Sequence, residues 1–304
     1  MKGLASFVMR GPSQAVMVTT VLAMLSVPLP LLGIFGAAGI GLVTLRNGAG
    51  SGIRIALLAT LACGIFMAIA FLNPLPALGF LLLQWMPVII LAQFLRASRS
   101  LDFTLQLALG FGLLLIIGQH LLLNDVAGFW QTQLQPLFDQ LVANGVMDQS
   151  GSQTVLKKLS VWMGGLMAAG LFLQLSCSLF VARWWQALLY NPGGFREEFH
   201  RFRLPKTIGV LGVAAMLILS VPTLAQADLI RHLAILLSTI LFLGGLAVMH
   251  GLLGKIKSSG IWLGLVYFLL IFLLPQVSMV LATIGLLDVW IDFRTRFGRS
   301  RPAG

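Results

Sequence analysis

Long apolar runs, separated by short polar or proline-containing breaks, recur along nearly the full length of this 304-residue chain. "IRIALLATLACGIFMAIAFL" (53–72) carries one charge, in its first turn, and "GVLGVAAMLILSVPTLA" (209–225) carries none. A helix that crosses the hydrocarbon core of a bilayer needs about 20 mostly apolar residues. The pattern predicts an all-α, polytopic transmembrane helical bundle in one integral membrane domain (1–304). Its predicted membrane segments are 14–27, 29–45, 53–72, 76–95, 102–123, 160–189, 207–224, 229–252, 260–275 and 277–291.

Prolines set several of these boundaries. "VPLP" (27–30) and "LNPLP" (72–76) each hold two prolines one residue apart, which an uninterrupted helix does not normally accommodate. Pro275 divides the apolar stretch 261–293, which is too long for one ordinary crossing. We therefore expect a hairpin, crossing or re-entrant, at each end of the chain. Eight full crossings with irregular ends is the competing count.

Composition agrees with a membrane protein, since 58% of the residues are hydrophobic and 10% are charged. Soluble domains average about 45–50% and about 25%. The net charge of +11 indicates basic residues collected on the cytoplasmic side of a membrane, and we expect no nucleic-acid partner. Cys63 and Cys177 lie inside apolar runs, so neither a disulfide framework nor a metal site is expected.

The positions of lysine and arginine predict the orientation. With both termini in the cytoplasm, 17 of the 20 basic residues lie inside, and four of the nine acidic residues lie outside, a strong positive-inside bias. The inside set is Lys2, Arg10, Arg46, Arg54, Arg96, Arg99, Arg183, Arg196, Arg201, Arg203, Lys206, Lys255, Lys257, Arg294, Arg296, Arg299 and Arg301. The outside residues are Lys157, Lys158 and Arg231, with Asp125, Asp139, Asp148 and Asp228.

One long external segment, 124–158, follows from this topology. Phe129, Leu134, Leu137, Phe138 and Leu141 recur at near-helical spacing with polar residues between them. The spacing predicts an amphipathic element on the outer membrane interface that covers a cavity, and a solvated helical linker is an equally good interpretation.

A polar block, "GGFREEFHRFRLP" (193–205), places five formal charges in a short stretch. In a helix after the two glycines, the three phenylalanines share one face, and Glu197 and Arg201 are i, i+4 partners on another. We expect segment 190–206 to be a cytoplasmic interfacial helix, serving as a lipid anchor or a docking surface. Its interface residues are Phe195, Glu197, Phe199, Arg201, Phe202 and Arg203.

Asp288 and Asp292 lie one turn apart at the inward end of the last segment. Paired carboxylates there relay protons or bind a cation in some proteins. We favour the structural interpretation, in which neighbours such as Arg294 and Arg296 neutralise them, with Asp292–Arg296 as an i, i+4 pair.

Uncharged polar residues within apolar segments indicate a ligand path, because each needs a partner inside the bundle. The main candidates are Gln84, Gln119, His120 and Gln174, with Gln106 and Gln276 as further ones. Hydrogen bonding between helices is the alternative for each. None of the six is charged, which favours a neutral or weakly polar ligand.

Small residues at four-residue spacing allow close helix packing. Ala15, Thr19 and Ala23 form one such face, and Gly165 and Ala169 repeat the spacing. The spacing fits internal packing and subunit docking equally well.

Motifs of common enzymes are missing from the sequence. It contains no H-E-x-x-H, G-x-S-x-G or Walker A pattern. We expect no enzymatic activity and no cofactor, and ATP-driven work would need a separate subunit.

Three stretches resemble a known family: "LVTLRNGAGSG" (42–52), "YNPGGFREEFHRFRLP" (190–205) and "GLLDVWIDFRTR" (285–296). They are similar to the YybS-like predicted membrane proteins (domain of unknown function 2232), a bacterial family of unknown function. That family is grouped distantly with the substrate-binding components of energy-coupling-factor vitamin transporters. The resemblance implies a bundle that holds an unidentified small molecule and docks on a transmembrane coupling subunit served by ATPases. In that case Ala15, Thr19 and Ala23 are the docking face and 124–158 is a lid.

The sequence thus predicts a multi-pass protein of the bacterial inner (plasma) membrane, in contact with the lipid bilayer, that binds or transports a small molecule. The alternative is a membrane scaffold or assembly factor that docks a cytoplasmic partner through 190–206.

Overall fold

A computed structural model of the chain describes residues 1–256 and 258–296. These residues form helices and connecting turns with no strand among them, which confirms the all-α polytopic prediction. Lys257, Arg299 and Arg301, which belong to the predicted cytoplasmic set, lie outside the described residues. The side on which the termini lie stays a prediction.

The helices are numbered in chain order. They are α1 Lys2–Val8, α2 Pro12–Leu25, α3 Leu32–Asn47, α4 Ala49–Phe71, α5 Pro76–Gly79, α6 Met86–Ser98, α7 Leu101–Leu122, α8 Val126–Ala143, α9 Gln149–Tyr190, α10 Gly194–Arg201, α11 Lys206–Leu219, α12 Asp228–Leu253, α13 Ser259–Phe272, α14 Leu274–Ile291 and α15 Phe293–Arg296. A π-helical segment, Phe80–Trp85, joins α5 to α6, and a 3₁₀ turn, Leu224–Gln226, precedes α12.

Six spans of the described chain are long and apolar enough to cross a membrane: α4, the run Pro76–Ser98, α7, α9, α12 and α14. The helices α10 and α11 make a seventh if they are taken together as one broken span. The predicted segments 14–27, 29–45 and 260–275 also form helices, but α2, α3 and α13 have only 14, 16 and 14 residues. At 1.5 Å per residue they measure about 21–24 Å, short of the roughly 30 Å core.

The described chain divides into two compact units, and α7 and α9 each contribute residues to both. The first unit comprises Met1–Ala108 and Leu171–Phe202. In it, α2 and α3 form a hairpin whose break contains Pro28 and Pro30, as the proline spacing predicts.

The small-residue face of α2 packs within the first unit. Ala15, Thr19 and Ala23 are each at most 1% exposed, and the Thr19 hydroxyl donates to the Gly36 carbonyl of α3 at 3.5 Å. A Cβ on Gly36 would lie 3.4 Å from the Thr19 carbonyl oxygen, so the two backbones are close. Because these three residues are buried within the first unit, the expectation that they dock a coupling subunit is dropped.

The second unit comprises Leu109–Gly170 and Arg203–Gly304. Its centre is the crossing of α12 and α14, where Gly245 and Gly285 bring the two backbones together. A Cβ on Gly285 would overlap the Leu241 carbonyl oxygen, and a Cβ on Gly245 would overlap that of Leu281. Only glycine permits so close an approach at these two positions.

The predicted external segment 124–158 is divided between two helices. Residues Val126–Ala143 form α8, while α9 begins at Gln149 and continues to Tyr190. The helix therefore starts before the predicted membrane segment 160–189, within the predicted external segment. No proline lies between Gln149 and Ser160, and Asp148 caps the start by accepting a hydrogen bond from the Gly151 amide at 3.4 Å. Its 42 residues extend about 63 Å, roughly twice the core thickness.

Candidate functional site

The polar side chains of the second unit come together where α7, α8, α9 and α12 approach one another. Gln119 and His120 lie near the end of α7, Trp130 lies in the first turns of α8, and His232 lies in the second turn of α12. We call these four residues the histidine cluster. His232 is only 1% exposed, and apolar residues make up most of the helices around it.

The Gln119 amide is the structural centre of the histidine cluster. Its Oε1 accepts a hydrogen bond from the Trp130 indole nitrogen at 2.9 Å. Its Nε2 donates to the carbonyl oxygens of Leu115 at 3.3 Å and Gly164 at 3.4 Å. One amide therefore links α7 to both α8 and α9.

The two imidazole rings lie edge to face, with their centroids 5.3 Å apart. His120 Nδ1 is 2.9 Å from the Ile116 carbonyl oxygen, and His232 Nε2 is 3.0 Å from that of Val161. A carbonyl oxygen only accepts hydrogen bonds, so both of these nitrogens carry the proton in the neutral rings. The remaining nitrogens, His120 Nε2 and His232 Nδ1, are then lone-pair acceptors. Both are buried and have no hydrogen-bond partner within the described chain.

Two glycines of α9 make room for His232. A Cβ on Gly164 would lie 2.9 Å from the His232 Nδ1 atom, and a Cβ on Gly165 would lie 2.8 Å from the His232 Cα atom. Any larger residue here would displace the imidazole. Of the predicted small-residue pair Gly165 and Ala169, Gly165 thus serves internal packing, because it lies against His232 of α12.

The charges nearest in sequence to His232 compensate each other. Arg231 forms an ion pair with Asp228, one turn earlier in α12, and donates a second hydrogen bond to the Ala225 carbonyl at 2.8 Å. The acidic group of this turn is therefore already paired. Within residues 1–256 and 258–296, no group of three or more His, Cys, Asp or Glu side chains is arranged to hold a metal ion.

A family model described as "Predicted membrane protein (DUF2232)" matches residues 17–289 of the chain. The chain belongs to this family. No curated protein and no solved structure matches it. The family match supports a multi-pass membrane protein in contact with the lipid bilayer.

The other predicted ligand-path residues of this family member lie elsewhere. Gln84 and Gln174 belong to the first unit. Gln84 is buried, 4% exposed, and donates to the Gly33 carbonyl at 2.8 Å from within the π-helical segment before Pro87. The Gln106 side chain donates to the Asp102 carbonyl at 3.1 Å, and Gln276 is exposed. For Gln84 the alternative of hydrogen bonding between helices describes the structure, whereas the Gln106 bond lies within α7.

His232 and Trp130 were not predicted as site residues. The topology contained the signal, because it places the end of segment 102–123 and the start of segment 229–252 on the same outer side. His120 and His232 lie at those two segment ends. These two histidines were not predicted as a pair, because they are far apart in the sequence, although the predicted topology places both on the outer side.

The predicted cytoplasmic interface forms the second polar region. The rings of Phe195 and Phe199 pack on Phe180 of α9, with centroids 5.8 and 5.4 Å away, and Phe202 is 1% exposed. These contacts hold the aromatic face against α9 within the first unit, while Phe195 and Phe199 remain partly exposed. The interfacial role of segment 190–206 stays a prediction. Glu198, which was not predicted, anchors α10 by pairing with Arg183, whose Nε donates to it at 2.9 Å.

Exposed charges remain on the outer side of α10. Glu197 and Arg201 lie 4.0 Å apart, which confirms the i, i+4 pair, and their side chains are 72% and 83% exposed. Such an exposed pair contributes little to stability.

The two aspartates at the end of α14 are neutralised, as the structural interpretation expects, but by different partners. Arg294 pairs with Asp288 at 2.6 Å, and both side chains are 8% exposed. Asp292 pairs with Arg203 at 2.8 Å instead of with Arg296. Asp292 adopts a left-handed backbone conformation (φ +50°) that ends α14, and its Oδ1 also accepts a hydrogen bond from the Thr295 amide at 3.3 Å.

Proposed function

We propose that this protein binds a neutral, hydrogen-bond-donating small molecule at the histidine cluster and takes part in its transport across the bacterial inner membrane. The observation that supports the proposal is the pair of buried imidazole nitrogens without partners, His120 Nε2 and His232 Nδ1. An unsatisfied buried polar atom costs roughly 1–3 kcal/mol. A ligand that donates to both nitrogens would recover that cost, which favours its binding at this place.

The surroundings of the pair also suit a binding site. Gln119 is fully engaged with backbone and with Trp130, so it holds the helices in place. The helix α8 carries Trp130 and is the natural lid, since one side-chain hydrogen bond connects it to α7. The proposal keeps the predicted role of the 124–158 region and assigns it to Val126–Ala143.

The transport part of the proposal rests on the grouping with energy-coupling-factor substrate-binding components. It requires a separate transmembrane coupling subunit with ATPases. The docking surface for that subunit must differ from Ala15, Thr19 and Ala23, because these residues are already buried within the first unit. The protein itself performs no catalytic step in this proposal.

Ligand retention tests the proposal. The protein is purified in mild detergent and analysed by native mass spectrometry, followed by extraction and identification of any small molecule. We expect the wild-type protein to retain one small molecule per chain and His232→Phe, which removes an acceptor but keeps a buried ring, to lose it.

The matched control is His250→Phe. His250 also lies in α12, but its Nδ1 pairs with the Leu246 carbonyl at 2.9 Å and its Nε2 lies 3.1 Å from the Tyr267 hydroxyl. We expect this variant to keep the ligand. An empty wild-type protein, or equal retention by all three proteins, would contradict the proposal.

A second function, a scaffold that docks a cytoplasmic protein, is favoured by one observation. The α10 helix is fixed on the first unit through its aromatic face and Glu198, and it leaves Glu197 and Arg201 exposed. Photocrosslinking from position 201 in cells tests this function. Recovery of one defined protein would support it, and recovery of lipid alone would eliminate it.

A further inference from the structure

A cleft of about 160 Å³ opens on the first unit, between the α1–α2 connection and the ends of α3 and α4. Its apolar wall includes Val8, Val43 and Ile55, all less than 5% exposed, and Leu58. The polar side chains in the lining are Asn47, at the end of α3, and Ser51 and Arg54, in the first turns of α4. The cleft is thus apolar over most of its surface and cationic at one rim.

The sequence around the cleft lacks compensating acid. Residues 1–101 contain no aspartate or glutamate and six basic residues. Every element that lines the cleft comes from this stretch. A counter-charge for the rim must therefore come from another molecule or from a distant part of the chain.

Arg54 is the one basic residue among those that line the cleft. The guanidinium of Arg46 lies over the Tyr190 ring, 4.4 Å from its centroid, and that of Arg10 lies 5.5 Å from the Phe7 centroid. Arg54, by contrast, is exposed and has no ion pair, hydrogen bond or ring contact with the described residues. The first turn of α4, whose dipole favours negative charge, begins beside it.

We infer that the cleft binds one molecule of anionic phospholipid. One acyl chain lies along Val43, Ile55 and Leu58, and the phosphate pairs with Arg54 while accepting hydrogen bonds from the Ser51 hydroxyl and the Asn47 amide. A zwitterionic lipid has the same acyl chain, but its headgroup also carries a positive charge, which would lie near the Arg54 guanidinium and be repelled by it. Charge complementarity therefore selects the anionic headgroup.

Lipid retention in native mass spectrometry tests this inference independently of the histidine cluster. Protein delipidated in detergent is incubated with equimolar phosphatidylglycerol and phosphatidylcholine of the same acyl chains. We expect one tightly retained phosphatidylglycerol per chain. Arg54→Gln should lower its retention about fivefold relative to phosphatidylcholine, and Leu58→Trp, which fills the cleft, should remove both lipids from the site.

Arg99→Gln is the matched control, because Arg99 is exposed in the same acid-free stretch but does not line the cleft. It should leave the preference unchanged. Equal losses in Arg54→Gln and Arg99→Gln would show unspecific attraction, and equal retention of the two lipids by wild type would overturn the inference. Circular dichroism of each variant establishes that it is folded before the comparison.

Discussion

The contact between α12 and α14 provides the sharpest test of the packing in the second unit. Replacing Gly285 with alanine puts a Cβ in overlap with the Leu241 carbonyl oxygen and 2.7 Å from the Gly245 amide nitrogen. Both neighbours are backbone atoms, so no side chain can rotate away and the helices must separate. Overpacking of this kind costs about 1–3 kcal/mol, and a backbone obstacle favours the upper end.

Thermal unfolding in detergent, followed by tryptophan fluorescence, measures this cost. At roughly 2–4 °C per kcal/mol for chains of comparable size, we expect Gly285→Ala to lower the Tm by about 3–10 °C. The control is Gly264→Ala in α13, where a Cβ meets no atom within 4 Å. That change should raise the Tm slightly, because alanine is the better helix former by about 1 kcal/mol. If Gly285→Ala unfolds at or above the wild-type Tm, the close backbone crossing is wrong.

Three further predictions concern the ion pairs and the proposed lid. Arg183→Gln leaves Glu198 without its partner and should destabilise the protein by about 1–2 kcal/mol, since the pair is partly exposed; the double change to glutamines should restore part of the lost Tm. Burial raises the pKa of Asp292, but hydrogen bonds and the Arg203 guanidinium outweigh burial and hold its pKa below the ordinary 3.8. A carboxyl whose pKa is lower in the folded state stabilises the fold at pH values above its ordinary pKa, and this stabilisation is lost as the pH falls through the folded-state pKa. The Tm should therefore drop below about pH 4, and it should drop less in Asp292→Asn. Trp130→Phe removes the hydrogen bond between α8 and α7 and should increase ligand release about two- to tenfold, with faster hydrogen exchange confined to α8 amides.

Breaks in the apolar pattern could be predicted because proline acts locally. The prediction that Pro275 divides the last apolar stretch is confirmed: α13 ends at Phe272, and Pro275 lies in the first turn of α14. Proline is favoured there because the amide hydrogen that it lacks would have no helical partner in that turn. The same local rule explains the hairpin break between α2 and α3.

The extent of α9 could not be read from hydropathy. Hydropathy reports which residues suit a membrane interior, whereas a helix continues until a cap or a breaking residue ends it. Lys157 and Lys158 are polar but good helix formers, and no proline interrupts the chain between Gln149 and Tyr190. Hydropathy alone therefore assigns the polar first turns of α9 to the preceding external segment 124–158.

Pairing partners were predictable only when they were local. The Glu197–Arg201 pair follows from helical spacing alone, but it is exposed and contributes little. The better-shielded Arg183–Glu198 pair and the His120–His232 contact depend on which helices become neighbours. Periodicity within one segment carries no information about that choice.

The donor and acceptor pattern of the histidine cluster restricts the chemistry of its ligand. With Nδ1 of His120 and Nε2 of His232 committed to carbonyl oxygens, the pair presents two lone pairs and no donor. A carboxylate ligand would face both lone pairs and be repelled. An ammonium ligand could donate, but Asp228 is already paired with Arg231, so its charge would be buried without a counter-ion at a cost of several kcal/mol. A neutral amide, hydroxyl or aromatic amino group donates without that cost.

Thermal-shift measurements at pH 7.5 test this ligand chemistry with a carboxamide, an amine and a carboxylic acid that share one carbon skeleton. We expect the carboxamide to raise the Tm most. Strongest stabilisation by the amine or the acid would mean that the imidazoles are protonated or otherwise paired, and the proposed ligand chemistry would have to be abandoned.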